Sequence, residues 1–183
     1  MIEKNFSQKK SRFKRNGIHG EHHYGDLGQI VTLFGFLLIW ILDSFIFQYS
    51  TFLSHYVPLY IRLIVAGLIF AYAIYLASSG HRAVSDEVLS SPRLLTDGAF
   101  ARVRHPLYLA ALLFYLFLIS ITLSLISLFL FIGVFFFYNT IATYEEKYLE
   151  KKFGQDYRDY KRAIPKWTPR FFKGSRIDRF EKE

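Results

Sequence analysis

From Pro106 to Tyr144 the chain carries no Lys, Arg, Asp or Glu. No other feature limits its fold so tightly. As one helix rising 1.5 Å per residue, this run would be roughly twice as long as the ~30 Å hydrocarbon core of a bilayer, so it must fold back on itself. The segment Ser120-Ile-Thr-Leu-Ser124 offers the turn, which predicts two short, close-packed spans near 106–121 and 123–143. Two earlier apolar blocks, near 30–48 and 57–77, each approach the length of a span and carry one charge apiece, Asp43 and Arg62. The expectation is an all-α membrane protein with about four transmembrane helices.

Charge orients these spans. The stretches 48–56 and 120–124 hold no Lys or Arg, whereas the tail before residue 30 has six, the 78–105 loop four and residues 144–183 twelve. Positive-inside counting puts all three basic segments, and so both termini, in the cytoplasm. The domain reading is a basic tail over 1–29, one transmembrane domain over 30–170 with a cytoplasmic helix over 144–162, and a basic tail over 171–183. Within the helix, Gly154 is placed to stop or bend the chain before Gln155 resumes it. Pro165 and Pro169 then end regular structure, and Trp167, Phe171 and Phe172 among basic residues suit the headgroup level.

The net charge of +8 would suggest nucleic acid in a soluble chain, but here the basic residues flank apolar spans and face anionic lipid instead. No nucleic-acid partner is expected. Residues 1–29 are polar, without an apolar core for a cleavable signal peptide. With no Cys and only the adjacent His22 and His23 as a ligand pair, neither a disulfide framework nor a metal site is expected. No glycine-rich strand-to-helix phosphate motif supports a Rossmann domain. Asp43 and Arg62 fall at similar depth below the outer boundary, and an intramembrane charge is expensive alone, so an ion pair between them is expected.

Chemistry concentrates in Leu94-Leu-Thr-Asp-Gly98-Ala-Phe100-Ala-Arg102-Val-Arg104-His105-Pro106-Leu-Tyr108. Pro106 pushes His105 out of helical geometry and suits the first position of the third span. Arg104 and His105 then crowd a helix N-terminus, where free N–H groups and the helix dipole favour an anion. If the third and fourth spans run up and back, Glu145 and Glu146 emerge beside Arg104 and His105. Such a cluster can hold a zwitterion, its carboxylate at the helix start and its cationic part against a Glu and the rings of Tyr108, Tyr144 or Tyr148. A salt bridge closing the hairpin is the alternative. His81, after Gly80, is a candidate to reach the same site from the 78–105 loop or to cap the second span.

The run LLTDGAFARVRHPLY, followed by Glu145-Glu146 and by Phe153-Gly154-x-x-Tyr157-x-x-Tyr160-Lys161-x-x-x-Pro165, resembles the isoprenylcysteine carboxyl methyltransferase and phospholipid methyltransferase family of integral membrane methyltransferases. A related segment occurs in membrane sterol reductases. The resemblance implies an S-adenosylmethionine site built from cytoplasmic loops and the helices beneath them, open to the bilayer for a lipophilic or amphiphilic acceptor. It assigns cofactor contacts to Leu94, Leu95, Gly98, His105, Pro106, Tyr108 and Glu146, and places Arg104 and Glu145 at the reacting centre. Two positions depart from the family pattern. Phe100 stands where Tyr is frequent, and the Arg that carboxyl methyltransferases carry a few residues before the paired glutamates is absent. Asn139-Thr-Ile-Ala-Thr143 occupies that place, which makes Asn139 the substrate-facing candidate. The alternatives that stay open are a phospholipid N-methyltransferase, an NADPH-dependent reductase and a non-catalytic membrane interaction protein.

Overall fold

The computed structural model describes residues 23–89 and 94–169, with side chains over 27–85 and 94–169. The described residues are helical and contain no strand. Helix α1 (His23–Ile41) runs into a π-helical turn (Leu42–Phe47), a short 3-10 turn (Phe52–His55) leads to α2 (Leu59–Leu89), and a 3-10 turn (Gly98–Ala101) precedes α3 (Pro106–Thr122). Helix α4 (Leu125–Phe153) and the short α5 (Gln155–Ala163) follow. Three segments, Leu27–Phe47, Leu59–Ser85 and Leu125–Phe153, are long and apolar enough to cross a membrane, and α3 is a shorter apolar helix. Only 17% of the apolar window of α1 or of α2 is buried within the chain, so most of that surface is left for lipid.

The reversal expected near Ser120–Ser124 occurs at Leu123 and Ser124. Leu123 adopts the left-handed conformation that ends α3, and the Ser124 hydroxyl accepts from Ser127 N–H to cap α4. Other boundaries differ from the hydropathy reading. Helix α1 begins at least seven residues before Ile30, inside what composition marks as tail. Helix α2 continues twelve residues past Ala77, because nothing between Ser78 and Leu89 breaks a helix once apolar composition gives way to polar. His81 is therefore an exposed mid-helix residue and not a cap. The segment after Tyr144 is not a separate helix. Helix α4 runs through it to Phe153, and Gly154 makes the break before α5.

Helix α3 is the centre of the bundle, with Ala110, Leu112, Tyr115, Leu118 and Ile119 buried. Helix α2 packs along it. A Cβ on Gly80 would lie 3.0 Å from the Leu107 side chain and 3.5 Å from Pro106, so the missing side chain lets α2 close on the start of α3. On the other side Trp40 of α1 donates to Leu118 O (3.2 Å) and Thr122 Oγ1 (3.1 Å).

The expected Asp43–Arg62 pair does not form. Asp43 accepts from the Ser50 hydroxyl, from Ser50 N–H (3.1 Å) and from the Ser124 hydroxyl (2.5 Å), tying the α1–α2 connection to the α3–α4 turn. Arg62 donates through Nη1 to Ile121 O (2.6 Å) and through Nε to Val57 O (3.1 Å). Through Ile121 O it meets a carbonyl of the last turn of α3, where the helix dipole favours a cation. Each charge finds its own polar surroundings, and neither needs the other.

Candidate active site

At the opposite end of the bundle, Pro106 occupies the first turn of α3, and His105 before it has φ −122° and ψ 67°, outside the helical region as the proline demands. Both residues are buried. Because α3 and α4 form a hairpin, the start of one faces the exit of the other. His105 Nε2 lies 3.1 Å from Glu146 Oε1, and its Nδ1 lies 3.5 Å from Glu145 Oε2. Arg104 Nη1 is 3.1 Å from the same Glu146 oxygen, and Lys161 of α5 is 3.4 Å from the other. Burial alone would discharge His105, but the hydrogen bonds and negative charge of Glu145 and Glu146 outweigh it and hold the imidazole above its ordinary 6.5.

The segment after α5 crosses this cluster. Arg104 N–H donates to Pro165 O (3.0 Å), and Tyr160, buried, donates its hydroxyl to Phe100 O (2.8 Å). Burial and then the negative charge of Glu146 push the Tyr157 hydroxyl above its ordinary range, so it stays a neutral phenol. Lys166 Nζ reaches Asn139 Oδ1 (2.8 Å), Asn139 O (3.1 Å) and Thr143 Oγ1 (2.8 Å), while Trp167 Nε1 donates to Asn139 Oδ1 (3.1 Å). The Tyr108 ring stacks on His105 with 5.6 Å between centroids, and Trp167 tilts over the same imidazole at 6.0 Å.

Of the residues singled out in the sequence, Arg104, His105, Pro106, Tyr108, Glu145 and Glu146 come together, with Asn139 joined to them through Lys166 and Trp167. Leu94 packs instead against the Tyr157, Tyr160 and Ile164 cluster. Gly98, at φ 58°, lines a cavity of about 370 Å³ formed with Tyr75, Ser78, Ser79, Arg82, Ala83 and Asp97. Leu95 lies in the same connection. Tyr144 and Tyr148 are exposed, and Lys147 Nζ lies over the Tyr144 ring. Sequence reasoning did not assign Lys161 or Lys166 to the cluster they join; Lys161 stands inside the run Tyr160-Lys161-x-x-x-Pro165, and Lys166 falls just outside it.

This cluster of a cation-flanked histidine and two carboxylates, at the start of an apolar helix, lies within residues 58–156, which match the family described as phospholipid methyltransferase. That is more than half of the chain. The protein belongs to this family. No curated protein and no solved structure matches it significantly. Family membership makes it a membrane methyltransferase and fits the apolar helices of an integral membrane protein.

Proposed function

We propose that this protein transfers a methyl group from S-adenosylmethionine to a lipophilic or amphiphilic acceptor, foremost the amine of a phospholipid. The observation that carries the reading is the buried Arg104 guanidinium beside the free N-terminus of α3: its Nη1 pairs with Glu146 (3.1 Å), while its Nε has no hydrogen-bond partner. A guanidinium with a free Nε–H, at a helix start, fits a carboxylate. The ligand also brings a cationic sulfonium, and Glu145 and Glu146 supply the opposite charge across the imidazole. The described donor set therefore fits the zwitterion.

When bound, S-adenosylmethionine supplies the activated methyl group. Arg104 and His105 would hold its carboxylate, with Gly98 and the adjoining cavity receiving the remainder beside Tyr75 and Asp97. Glu145, less buried than Glu146, is placed to accept a proton from an acceptor amine. Tyr108 and Trp167 cover His105 and exclude water, which keeps the carboxylate interactions strong. For an in-line displacement the chain contributes mainly orientation. The supporting topology has four spans, α3 included, with both termini and the site at the cytoplasmic face.

Two measurements on the detergent-purified full chain test this. Equilibrium dialysis with labelled S-adenosylmethionine is expected to show saturable binding, and methyl-labelled cofactor given to the chain in native membranes is expected to label an extracted lipid or amphiphile. Saturable binding of NADPH in place of S-adenosylmethionine would assign a reductase. Binding of neither would leave a non-catalytic membrane protein.

A further inference from the structure

Lys166 stands out when charges around the site are matched. Glu146 is shared by Arg104, His105 and Lys161, Glu150 by Arg158 and Lys161, and Glu145 faces His105. Lys166 spends its donors on neutral oxygens, those of Asn139 and Thr143, and feels Glu146 only at longer range. The ammonium is also drawn inward. Asn139 lies five residues inside the charge-free run, about 7 Å below Tyr144 along the helix, and Trp167 beside it packs on Phe135 a turn deeper still. A lysine at a membrane boundary ordinarily extends toward water. This one reaches toward the apolar side, to the level where the polar part of an amphiphile meets its chains. Burial accordingly lowers its pKa, with Arg104 and Lys161 adding repulsion.

We propose that Lys166, presented on Asn139 and Thr143, is the specificity-determining residue of the acceptor site and binds the anionic group of the amphiphile, a phosphate or a carboxylate. This rests on the reading of the neighbouring His105 and Glu146 cluster as the methyl-transfer site. By exchanging one of its three hydrogen bonds to neutral oxygens for the anion, the cation selects acceptors that carry an anion close to their nucleophile and sets how deep the acceptor sits relative to His105. Lys166 is a positioning residue and takes no part in proton transfer.

Tryptophan fluorescence reads this directly, since the chain has two Trp and the Trp40→Phe variant leaves Trp167 alone. In uncharged maltoside micelles the full chain is titrated with three brominated quenchers: a dibromostearoyl phosphatidylethanolamine, dibromostearic acid and its methyl ester. The same titration on the wild type and on Trp167→Phe gives the Trp167 signal by difference, whether or not Trp40→Phe folds. At least one of the two probes that carry an anionic group is expected to reach half-quenching at a roughly fivefold or more lower concentration than the ester, a difference of about 1 kcal/mol. The probe that does so identifies phosphate or carboxylate as the source. Lys166→Gln should abolish the preference, Lys166→Arg should keep it, and Lys147→Gln, an exposed lysine of α4, should leave it unchanged. Equal quenching by the ester, a preference that survives Lys166→Gln, or one lost equally in Lys147→Gln would overturn the proposal. S-adenosylmethionine binding measured in the same micelles separates the two readings: its absence overturns the cofactor assignment while the anion preference is still read on Trp167.

Discussion

His105 is held by α4 through both ring nitrogens, and this makes the site sensitive to pH in a direction that can be worked out. The groups facing it are Glu145 and Glu146 from α4 and Arg104 beside it, with Lys161 sharing Glu146. Its pKa is raised on folding, so its contribution to stability is complete below the unfolded value near 6.5 and is lost as pH rises through the higher folded value. The difference in thermal unfolding between wild type and His105→Gln should therefore be largest near about pH 6 and shrink toward about pH 9. A difference that grows with pH would contradict a charged imidazolium between the carboxylates. In the cofactor reading, His105→Ala and Glu146→Ala should each weaken S-adenosylmethionine binding by about 1.5–3 kcal/mol, the worth of a hydrogen bond to a charged group. Tyr108→Phe should change it by less than about 1 kcal/mol, since the ring that stacks on His105 is kept. Unaltered affinity in both alanine variants would remove the cofactor from this cluster.

Between elements, two contacts decide where the site residues stand, and each makes a prediction. Gly80 lets α2 approach Pro106 and Leu107, and the nearest atoms belong to a partly exposed, flexible leucine. Gly80→Ala should thus fall within about 1 kcal/mol of wild type, helix propensity offsetting the small displacement. Gly80→Leu should lose about 1–3 kcal/mol in detergent unfolding and weaken cofactor binding, because it wedges α2 from the start of α3. At the other end, Asp43→Ala should cost about 1–3 kcal/mol by stranding the donors of Ser50 and Ser124. Exchanging the charges, Asp43→Arg with Arg62→Asp, should give losses that add, since the two have separate partners; a double variant more stable than either single one would show contact after all. These two residues also mark how far the sequence could be read. Their shared depth follows from counting along each span, but rotation about the helix axis does not, and rotation turned Asp43 to serines and Arg62 to the carbonyls of Ile121 and Val57. The hairpin between α3 and α4 was legible because a charge-free run of that length has to reverse, and with it came the meeting of His105 with Glu146. Lys161 and Lys166 were not legible as site residues, because the path of a chain after a break such as Gly154 is fixed by tertiary contacts such as Tyr160 to Phe100 rather than by local pattern.

Taken whole, the molecule has two polar ends joined by an apolar middle. At one end the α1–α2 connection meets the α3–α4 turn through Asp43, Ser50, Ser124 and Arg62. At the other the start of α3, the exit of α4 and the segment after α5 converge on His105 and Glu146. In the proposed topology these ends lie on opposite faces of the bilayer, and positive-inside counting of Lys and Arg places the second end in the cytoplasm. The chain has no Cys, so single cysteines report position without background. Tyr56→Cys, 81% exposed beside the first end, should react with a membrane-impermeant maleimide only from outside. Lys151→Cys, near the end of α4, and Gln155→Cys, at the start of α5, should react only after the membrane is opened. The decisive comparison is between Tyr56 and Lys151. If α3, with only 17 residues, spans the bilayer by local thinning and tight packing against α2, the two labels fall on opposite faces. Labelling of both from one side would mean that α4 crosses without α3, and the start of α3 and the exit of α4 could then not share a face as the contact of His105 with Glu146 requires.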